Sequence, residues 1–244
     1  MALDLALLHA AASQGQAVLR TYGWARPTVS FGRNEAVRGV WDVEAMEADG
    51  VDVVRRPTGG RALWHGREVT YSVTMPWPAD RAWREAYDAV NQRLLQALLK
   101  LGVPARLHAR DALPAVSPDG PTCFAAPSAG EIVADAGKVA GSAVWRTSGG
   151  YLQHGSILLH DDQSQLSSYR YEKMRPDASY AAPVSAWLGA GDDATLSSRV
   201  VAALQAVWSC STRDNAAHPS SAIDERSLHE SRAMMCSPHW LWRR

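Results

Sequence analysis

Three short blocks carry residues whose types and spacing can do chemistry. The first is Arg55-Arg56-Pro57-Thr58-Gly59-Gly60-Arg61-Ala62-Leu63-Trp64-His65. Adjacent glycines let a turn approach a ligand with no side chain between, and their amides become fixed donors to an oxygen. Nearby arginines add positive charge. Glycine pairs are also ordinary in hairpin turns, so a purely structural reading stands beside the functional one. The second block is Lys138-Val139-Ala140-Gly141-Ser142-Ala143, followed by Gln153-His154-Gly155-Ser156-Ile157-Leu158-Leu159. A lysine just past a hairpin turn is normally a solvated strand-end charge; turned inward, its ammonium can polarise an acyl carbonyl. His154, in a strand beside a glycine, is more often a satisfied core or rim histidine than a catalytic base. The third block is Cys123-Phe124-Ala125-Ala126-Pro127-Ser128. Acyl transfer between thioesters suits a thiolate, which attacks well and leaves well, and the ammonium one hairpin away would favour it.

These residues need elements to hold them. The opening segment places Met1, Leu5, Leu8 and Ala12 on one helical face, with Gly15 near its end. Short strands are expected at Val18–Tyr22 and Thr28–Phe31, then a short helix from Asp42 to Gly50 and a strand Val51–Arg55 running into the glycine turn. The clearest strand has Val69, Tyr71, Val73 and Met75 alternating with Thr70, Ser72 and Thr74, which predicts one buried and one polar face. A long helix carries Trp83, Tyr87, Val90, Leu94, Leu98 and Leu101 and stops at Gly102. After a strand near Ala105–Ala109, the Pro/Ser/Gly-rich stretch from Leu113 to Ser128 reads as a mobile loop containing Cys123. Glu131–Ala134 and Lys138–Arg146 form a hairpin about Asp135-Ala136-Gly137, and a turn at Ser148-Gly149-Gly150 leads to the strand Tyr151–Leu159. A helix near Ser198–Trp208 and a short end with Trp240 and Trp242 follow. The fold class is α+β: a mixed, mostly antiparallel sheet with helices packed on one side.

Composition bounds what such a chain can be. At 244 residues and 46% hydrophobic content it can bury a sizeable core as a single domain, residues 1–244, with no separate accessory domain expected. A net charge of zero gives no bulk attraction to nucleic acid or membrane. Cys123, Cys210 and Cys236 are odd in number and widely spaced, which is neither a disulfide framework nor a zinc pattern; Cys210 and Cys236 read as packing or incidental residues. With no apolar run of spanning length and no signal-peptide pattern, the cytoplasm is the expected compartment and no metal is expected.

The run RRPTGGRALWHGREVTYSVTM, then CFAAPS, KVAGSA and QHGSILL, in this order, closely resembles the biotin/lipoate protein ligase superfamily. The resemblance runs from Met1 to Leu159, with Tyr22-Gly23-Trp24 and Ser30-Phe31-Gly32 inside it and a weaker echo at Ser237-Pro238-His239-Trp240. Within the superfamily it is nearest the cysteine-bearing octanoyltransferases that use acyl carrier protein. That resemblance implies the mixed-sheet catalytic domain of lipoate ligases. It implies Cys123 as the nucleophile forming an acyl thioester and Lys138 as the cation on the acyl carbonyl. Arg56, Thr58, Gly59, Gly60, His65, Gly141, His154 and Gly155 would bind substrate. Octanoyl-acyl carrier protein would be the donor and a lysine of a lipoyl domain or of the glycine-cleavage H protein the acceptor, with no cofactor.

An aliphatic chain needs an apolar slot, expected from the faces of Val69–Met75 and Ile157–Leu159. Acidic carriers suggest Arg20, Arg33, Arg61 and Arg67 as docking charges. The sequence departs from the family's pattern in three places: Leu5 after Asp4 where an acidic residue is usual, Glu35 in place of a glutamine, and no strand ahead of the first helix. An ATP- and Mg-dependent lipoate–protein ligase, which needs no Cys123, is the main rival. A lipoyl-domain-to-lipoyl-domain octanoyl amidotransferase and a non-catalytic acyl or lipoyl-domain binder are the others.

Overall fold

The structure, a computed structural model, describes residues 1–109, 122–135, 137–171, 180–189, 191–209 and 225–242. Helix α1 (Ala2–Gln14) leads into strands β1 (Val18–Tyr22) and β2 (Thr28–Phe31), helix α2 (Val43–Ala48), and strands β3 (Asp52–Arg55), β4 (Leu63–His65) and β5 (Glu68–Pro76). Helix α3 (Trp83–Lys100), strands β6 (Arg106–Leu107), β7 (Ile132–Ala134), β8 (Gly137–Arg146) and β9 (Gly150–Leu158), and a 3-10 turn Gln163–Tyr169 follow. Helices α4 (Ser185–Leu188), α5 (Asp193–Ser209), α6 (Glu225–Met235) and α7 (Pro238–Leu241) complete the described chain. The strand expected near Ala105–Ala109 shrinks to the two residues of β6, and Cys210 and residues 113–121 of the expected loop lie outside the described residues.

A six-stranded sheet runs β1-β5-β9-β8-β7-β6, all antiparallel, and a three-stranded sheet runs β3-β2-β4, with β2 parallel to β3. The α+β, mostly antiparallel expectation holds. Its one-sided helix layer does not. Val69, Tyr71, Val73 and Ile157 face α3 and α5, where Val90, Leu94, Leu98, Leu196, Val200 and Leu204 close the main core. The opposite face carries α1, whose Leu5 and Leu8 pack on Leu152, and α6 lies against α1 in turn. Both faces of β5 are therefore buried: Thr70, Ser72 and Thr74 are 3%, 1% and 0% exposed.

Hydroxyls tolerate burial only where a partner waits. Asp4, fully buried in α1, supplies one. Its Oδ1 accepts from Ser72 Oγ at 2.8 Å and Arg20 Nη2 at 2.8 Å, and its Oδ2 accepts from Tyr22 OH at 3.2 Å. This is why α1 lacks a clean apolar stripe: Asp4 and Ala6 to Leu8 are all buried, while Ala12 of the expected face is exposed. Burial alone would raise the Asp4 carboxyl, but His154 and Arg20 hold it well below the usual carboxylate range. Its stabilising contribution is thus present above its ordinary value of 3.8 and drains away as pH falls below that. Asp4→Asn should cost about 3 kcal/mol at pH 7 by leaving Arg20 without its buried partner. In urea unfolding at pH 7 and pH 3, the variant should lose much of the parent's acid-side decline; an unchanged slope would remove Asp4 from that role.

At the other end of the chain, Ser237 caps α7 by accepting from Trp240 N at 3.2 Å, with Pro238 at its first turn. Trp240 Nε1 donates to Arg55 O at 2.9 Å, and Arg55 Nε returns a bond to Leu241 O at 2.8 Å. The short helix therefore pins the end of β3, one residue before Arg56. Among the described residues no helix is long and apolar enough to cross a membrane.

Candidate active site

A cleft of ≈ 1170 Å³ opens between the turn after β3, the segment around Cys123 and strands β8 and β9. Arg56, Gly59, Gly60, His65, Cys123, Lys138, Gly141, His154 and Gly155 all line it. Thr58 stands behind it, bonded to His154. Strand β7 pairs with β8 only as far as Ala140, so Gly141 to Arg146 meet a strand on one side only among the described residues, and the cleft runs along that edge.

The segment around Cys123, expected to be a mobile loop, is tied to its surroundings by several contacts. The Cys123 N–H donates to Ala62 O at 3.2 Å, its carbonyl accepts from Lys138 Nζ at 2.7 Å, and Phe124, 1% exposed, wedges between Leu63 and Leu158. Tyr180 N binds Phe124 O at 3.1 Å from the far side. A buried aromatic flanked by main-chain bonds fixes a segment whose composition reads as flexible. Cys123 as a whole is half-buried and lines the cleft.

Lys138 points inward, as the functional reading required, and a carboxylate unremarked in the sequence receives it. Glu131 Oε2 lies 2.7 Å from Nζ, with side-chain exposures of 3% for the lysine and 4% for the glutamate. Glu131 also accepts from Ser128 N at 2.6 Å and Ser142 N at 3.1 Å, tying the cysteine segment to β8. The ammonium is thus held by Glu131 and by the Cys123 main chain rather than by the sulfur. Gly141 makes room for it: a Cβ there would come within 3.1 Å of Lys138 Cε. Gly155 is equally constrained, because a Cβ would strike the Gly141 carbonyl and the Tyr71 ring.

Arg56 brings a cation to the sulfur, its Nη2 3.7 Å from Cys123 Sγ. Gly60, at φ 90°, lies against this pair; an added Cβ would sit 2.6 Å from Arg56 Nη2 and 3.5 Å from the sulfur. Its glycine is required by conformation and by space.

Both histidines are buried. His154 Nε2 is 2.6 Å from Thr58 Oγ1, and its Nδ1 faces Asp4 Oδ2 at 3.7 Å, an electrostatic approach longer than a hydrogen bond. Burial lowers its affinity for a second proton despite Asp4, so a neutral ring with the proton on Nδ1 accepts from Thr58. His65 Nδ1 is 2.7 Å from Glu68 Oε1 and its Nε2 2.7 Å from Ser30 Oγ, while Trp24 stacks on the ring at 4.2 Å. Asp4, Ser30, Glu68 and Glu131 were missed from the sequence. His65 and Glu68 flank the short Gly66-Arg67 turn, a spacing that could have signalled their pairing; Lys138 sits opposite Val133 across its hairpin, so its pairing with Glu131 carried no such signal.

The strand faces expected to form the apolar slot do not line the cleft. Val69, Tyr71, Val73, Ile157 and Leu159 belong to the core under α3 and α5. The cleft's apolar lining comes from Leu63, Phe124, Ala143, Val144 and Trp145. Alternation assigned the apolar face to the slot, but helices claim that face first. The four arginines expected as docking charges each have a local setting of their own. Arg20 is bound to Asp4, Arg61 is 5% exposed, Arg33 stacks on Trp145 at 3.8 Å, and Arg67 pairs with Asp193 at 2.9 Å. Glu35, which replaces the usual glutamine, is buried and accepts from Gly32 N at 3.0 Å; burial raises its carboxyl against the pull of Arg56.

Comparison with known proteins places this geometry. The description of the lipoyl protein ligase A/B catalytic domain matches residues 1–186. "Octanoyltransferase LipM" of Anoxybacillus flavithermus is 41% identical over 185 residues, covering 72% of this chain and 66% of that protein. The Bacillus subtilis protein of the same name is 38% identical over 178 residues, covering 68% of this chain and 63% of its own length. The matched part of the chain thus spans about two thirds of these relatives. Among solved structures, protein Ta0514 from T. acidophilum with bound lipoic acid superposes with a TM-score of 0.74 at 22% identity, over 100% of this chain and 94% of that one. A lipoate-protein ligase A bound with ATP gives 0.72 at 21% identity, over 99% and 93%. At such identities the structural likeness speaks for the fold alone. Two sheets around a glycine turn, and relatives this similar in sequence, agree with the domain match: the chain belongs to the lipoyl protein ligase A/B catalytic domain family.

Proposed function

We propose that this chain is an octanoyltransferase that accepts an octanoyl group from acyl carrier protein as a thioester on Cys123. It then passes the group to a lysine of a lipoyl domain or of the glycine-cleavage H protein. The carrying observation is the half-buried Cys123 lining the cleft, with its own carbonyl held 2.7 Å from the Lys138 ammonium. The LipM name of the relatives supports the same reading.

In the first step the Cys123 sulfur attacks the thioester carbon of the donor. The carrier's C–S bond breaks, and its sulfur leaves with the proton that Cys123 gave up. In the second step the acceptor amine attacks the new thioester, an amide forms, and Cys123 leaves as a thiolate that regains a proton from the amine. Lys138 has two of its three N–H donors used by Cys123 O and Glu131, and the third is the donor that would meet the acyl carbonyl. Gly59, Gly60, Gly141 and Gly155 let the acyl group approach the backbone, while Arg56, Thr58, His65 and His154 shape the wall. The thioester is already activated, so this reaction uses neither ATP nor a metal. Residues 1–244 act in it as one catalytic domain, and the cytoplasm, where such carriers work, is its compartment.

The purified chain incubated with octanoyl-acyl carrier protein and an apo lipoyl domain, without ATP, should show an octanoyl adduct on itself and on the acceptor by intact mass spectrometry. Modification that requires ATP and free lipoate transfers the assignment to a ligase. Acyl binding with no modification in either mixture leaves only a binder.

A further inference from the structure

We infer that Arg56 is the cation that holds the Cys123 sulfur as an anion, and that Glu68, His65 and Ser30 are positioning residues that keep its guanidinium aimed there. This rests on Cys123 as the acyl carrier.

The argument starts from a buried charge. Arg56 is 3% exposed, and a buried guanidinium is costly unless its donors and its charge are both met. Its donors are met by neutral oxygens. Nε donates to Gly59 O at 3.1 Å, Nη1 to Ser30 O at 2.8 Å, and Nη2 to Arg61 O at 2.6 Å. No carboxylate among the described residues lies within ion-pair distance of it, and the buried Glu35 only feels its charge from farther off. The atom in line as its partner is Cys123 Sγ, 3.7 Å from Nη2. Gly60 keeps the approach open, because any side chain would meet the guanidinium at 2.6 Å.

The other charges around Cys123 are already committed. Lys138 is paired with Glu131, and Glu35 is buried beside the Gly32 amide with its carboxyl raised by burial. Behind Arg56 a chain of donors runs one way. Nη1 donates to Ser30 Oγ at 3.0 Å, Ser30 Oγ lies 2.7 Å from His65 Nε2, and His65 Nδ1 lies 2.7 Å from Glu68 Oε1. An ionised carboxylate only accepts, so Nδ1 carries the ring proton, and Nε2 accepts from Ser30. Ser156 Oγ at 2.8 Å and Trp24 Nε1 at 3.2 Å fix Glu68 Oε1. The guanidinium is thereby locked before any substrate arrives. It serves both half-reactions, since the sulfur is anionic when it attacks the donor and again when the acceptor amine expels it.

The test follows alkylation of Cys123 by iodoacetamide from pH 5 to 10, read on the Cys123 peptide by mass spectrometry. Arg56→Met should move the pH–rate profile upward by about one unit or more, an alkylation about tenfold slower on the acid limb. Arg56→Lys should recover part of it, and Lys138→Met should leave the profile in place. Ser30→Ala, which spares the guanidinium and cuts the chain to Glu68, should slow alkylation about threefold; it keeps the test decisive if Arg56→Met fails to fold. An unmoved profile in Arg56→Met or, where that variant does not fold, in Ser30→Ala overturns the inference, as does a profile moved by Lys138→Met instead. Alkylation needs no acyl donor, so a chain that never carries octanoate would sink the transferase reading while leaving this result legible.

Discussion

Cys123→Ser should lower ATP-independent octanoyl transfer about 10⁴-fold while the protein stays folded. A serine hydroxyl in that place stays protonated at neutral pH, with no base yet placed to activate it. Any ester it did form would expel an alkoxide rather than a thiolate when the lysine attacks, so both half-reactions suffer. The fold should barely register the change. The interactions that anchor this segment use the Cys123 amide and carbonyl and the Phe124 ring, none of which the substitution alters. The melting temperature should fall by no more than about 2–4 °C, the effect of about 1 kcal/mol in a chain of this size. Intact mass spectrometry should find no thioester adduct. The rival predicts the reverse: a ligase passes its adenylate directly to the acceptor, so Cys123→Ser with ATP and free lipoate would keep full activity. That outcome ends the thioester route.

How far such a site can be read in advance depends on whether its parts are local. The Arg55 to Gly60 run, the alternation along β5 and the glycine at the end of α3 each announce their structure through neighbouring residues, and the structure bears them out. Lys138, Cys123 and His154 could be named from their settings, and the cleft gathers them. The partners are another matter. Asp4 meets Ser72 and faces His154 across 68 and 150 residues of sequence, and no local pattern marks such a pairing. A helix read by apolar periodicity discards its one acid as the exposed side, yet Asp4 is 0% exposed.

The same bias misplaced the slot. Thr70 and Ser72 count as polar in any pattern, so the face they share with Ser156 and His154 was read as the polar one, and the valines opposite were given to the acyl chain. A sheet buried on both sides inverts that reading. The valines pack under α3 and α5, while the hydroxyl face receives Asp4 and Glu68, whose Oε1 also takes a hydrogen bond from Thr70. The polar layer can be buried because its carboxylates are shared among several donors, and that sharing brings Glu68, His65 and Arg56 into one connected wall of the cleft.

Glu131→Gln should be the most destabilising single change near the site, and its rescue should be the most informative. The substitution leaves the Lys138 ammonium buried with no countercharge, a situation that costs about 3–5 kcal/mol. At about 2–4 °C per kcal/mol, the melting temperature should drop by roughly 6–20 °C. Adding Lys138→Met removes the stranded charge and fills its volume with an apolar chain, so the double variant should regain most of that loss. Lys138→Met alone should be milder, because Glu131 keeps the amides of Ser128 and Ser142. Activity should follow a different order. Without the ammonium, transfer should fall about 10²–10³-fold in both variants that carry methionine, as when one donor to a developing oxyanion is lost. A stable but inactive double variant would separate the electrostatic part of Lys138 from its part in the fold. A double variant as unstable as Glu131→Gln, or a methionine variant that turns over normally, would show that this pair only braces the cysteine segment, and the acyl carbonyl would then need another donor.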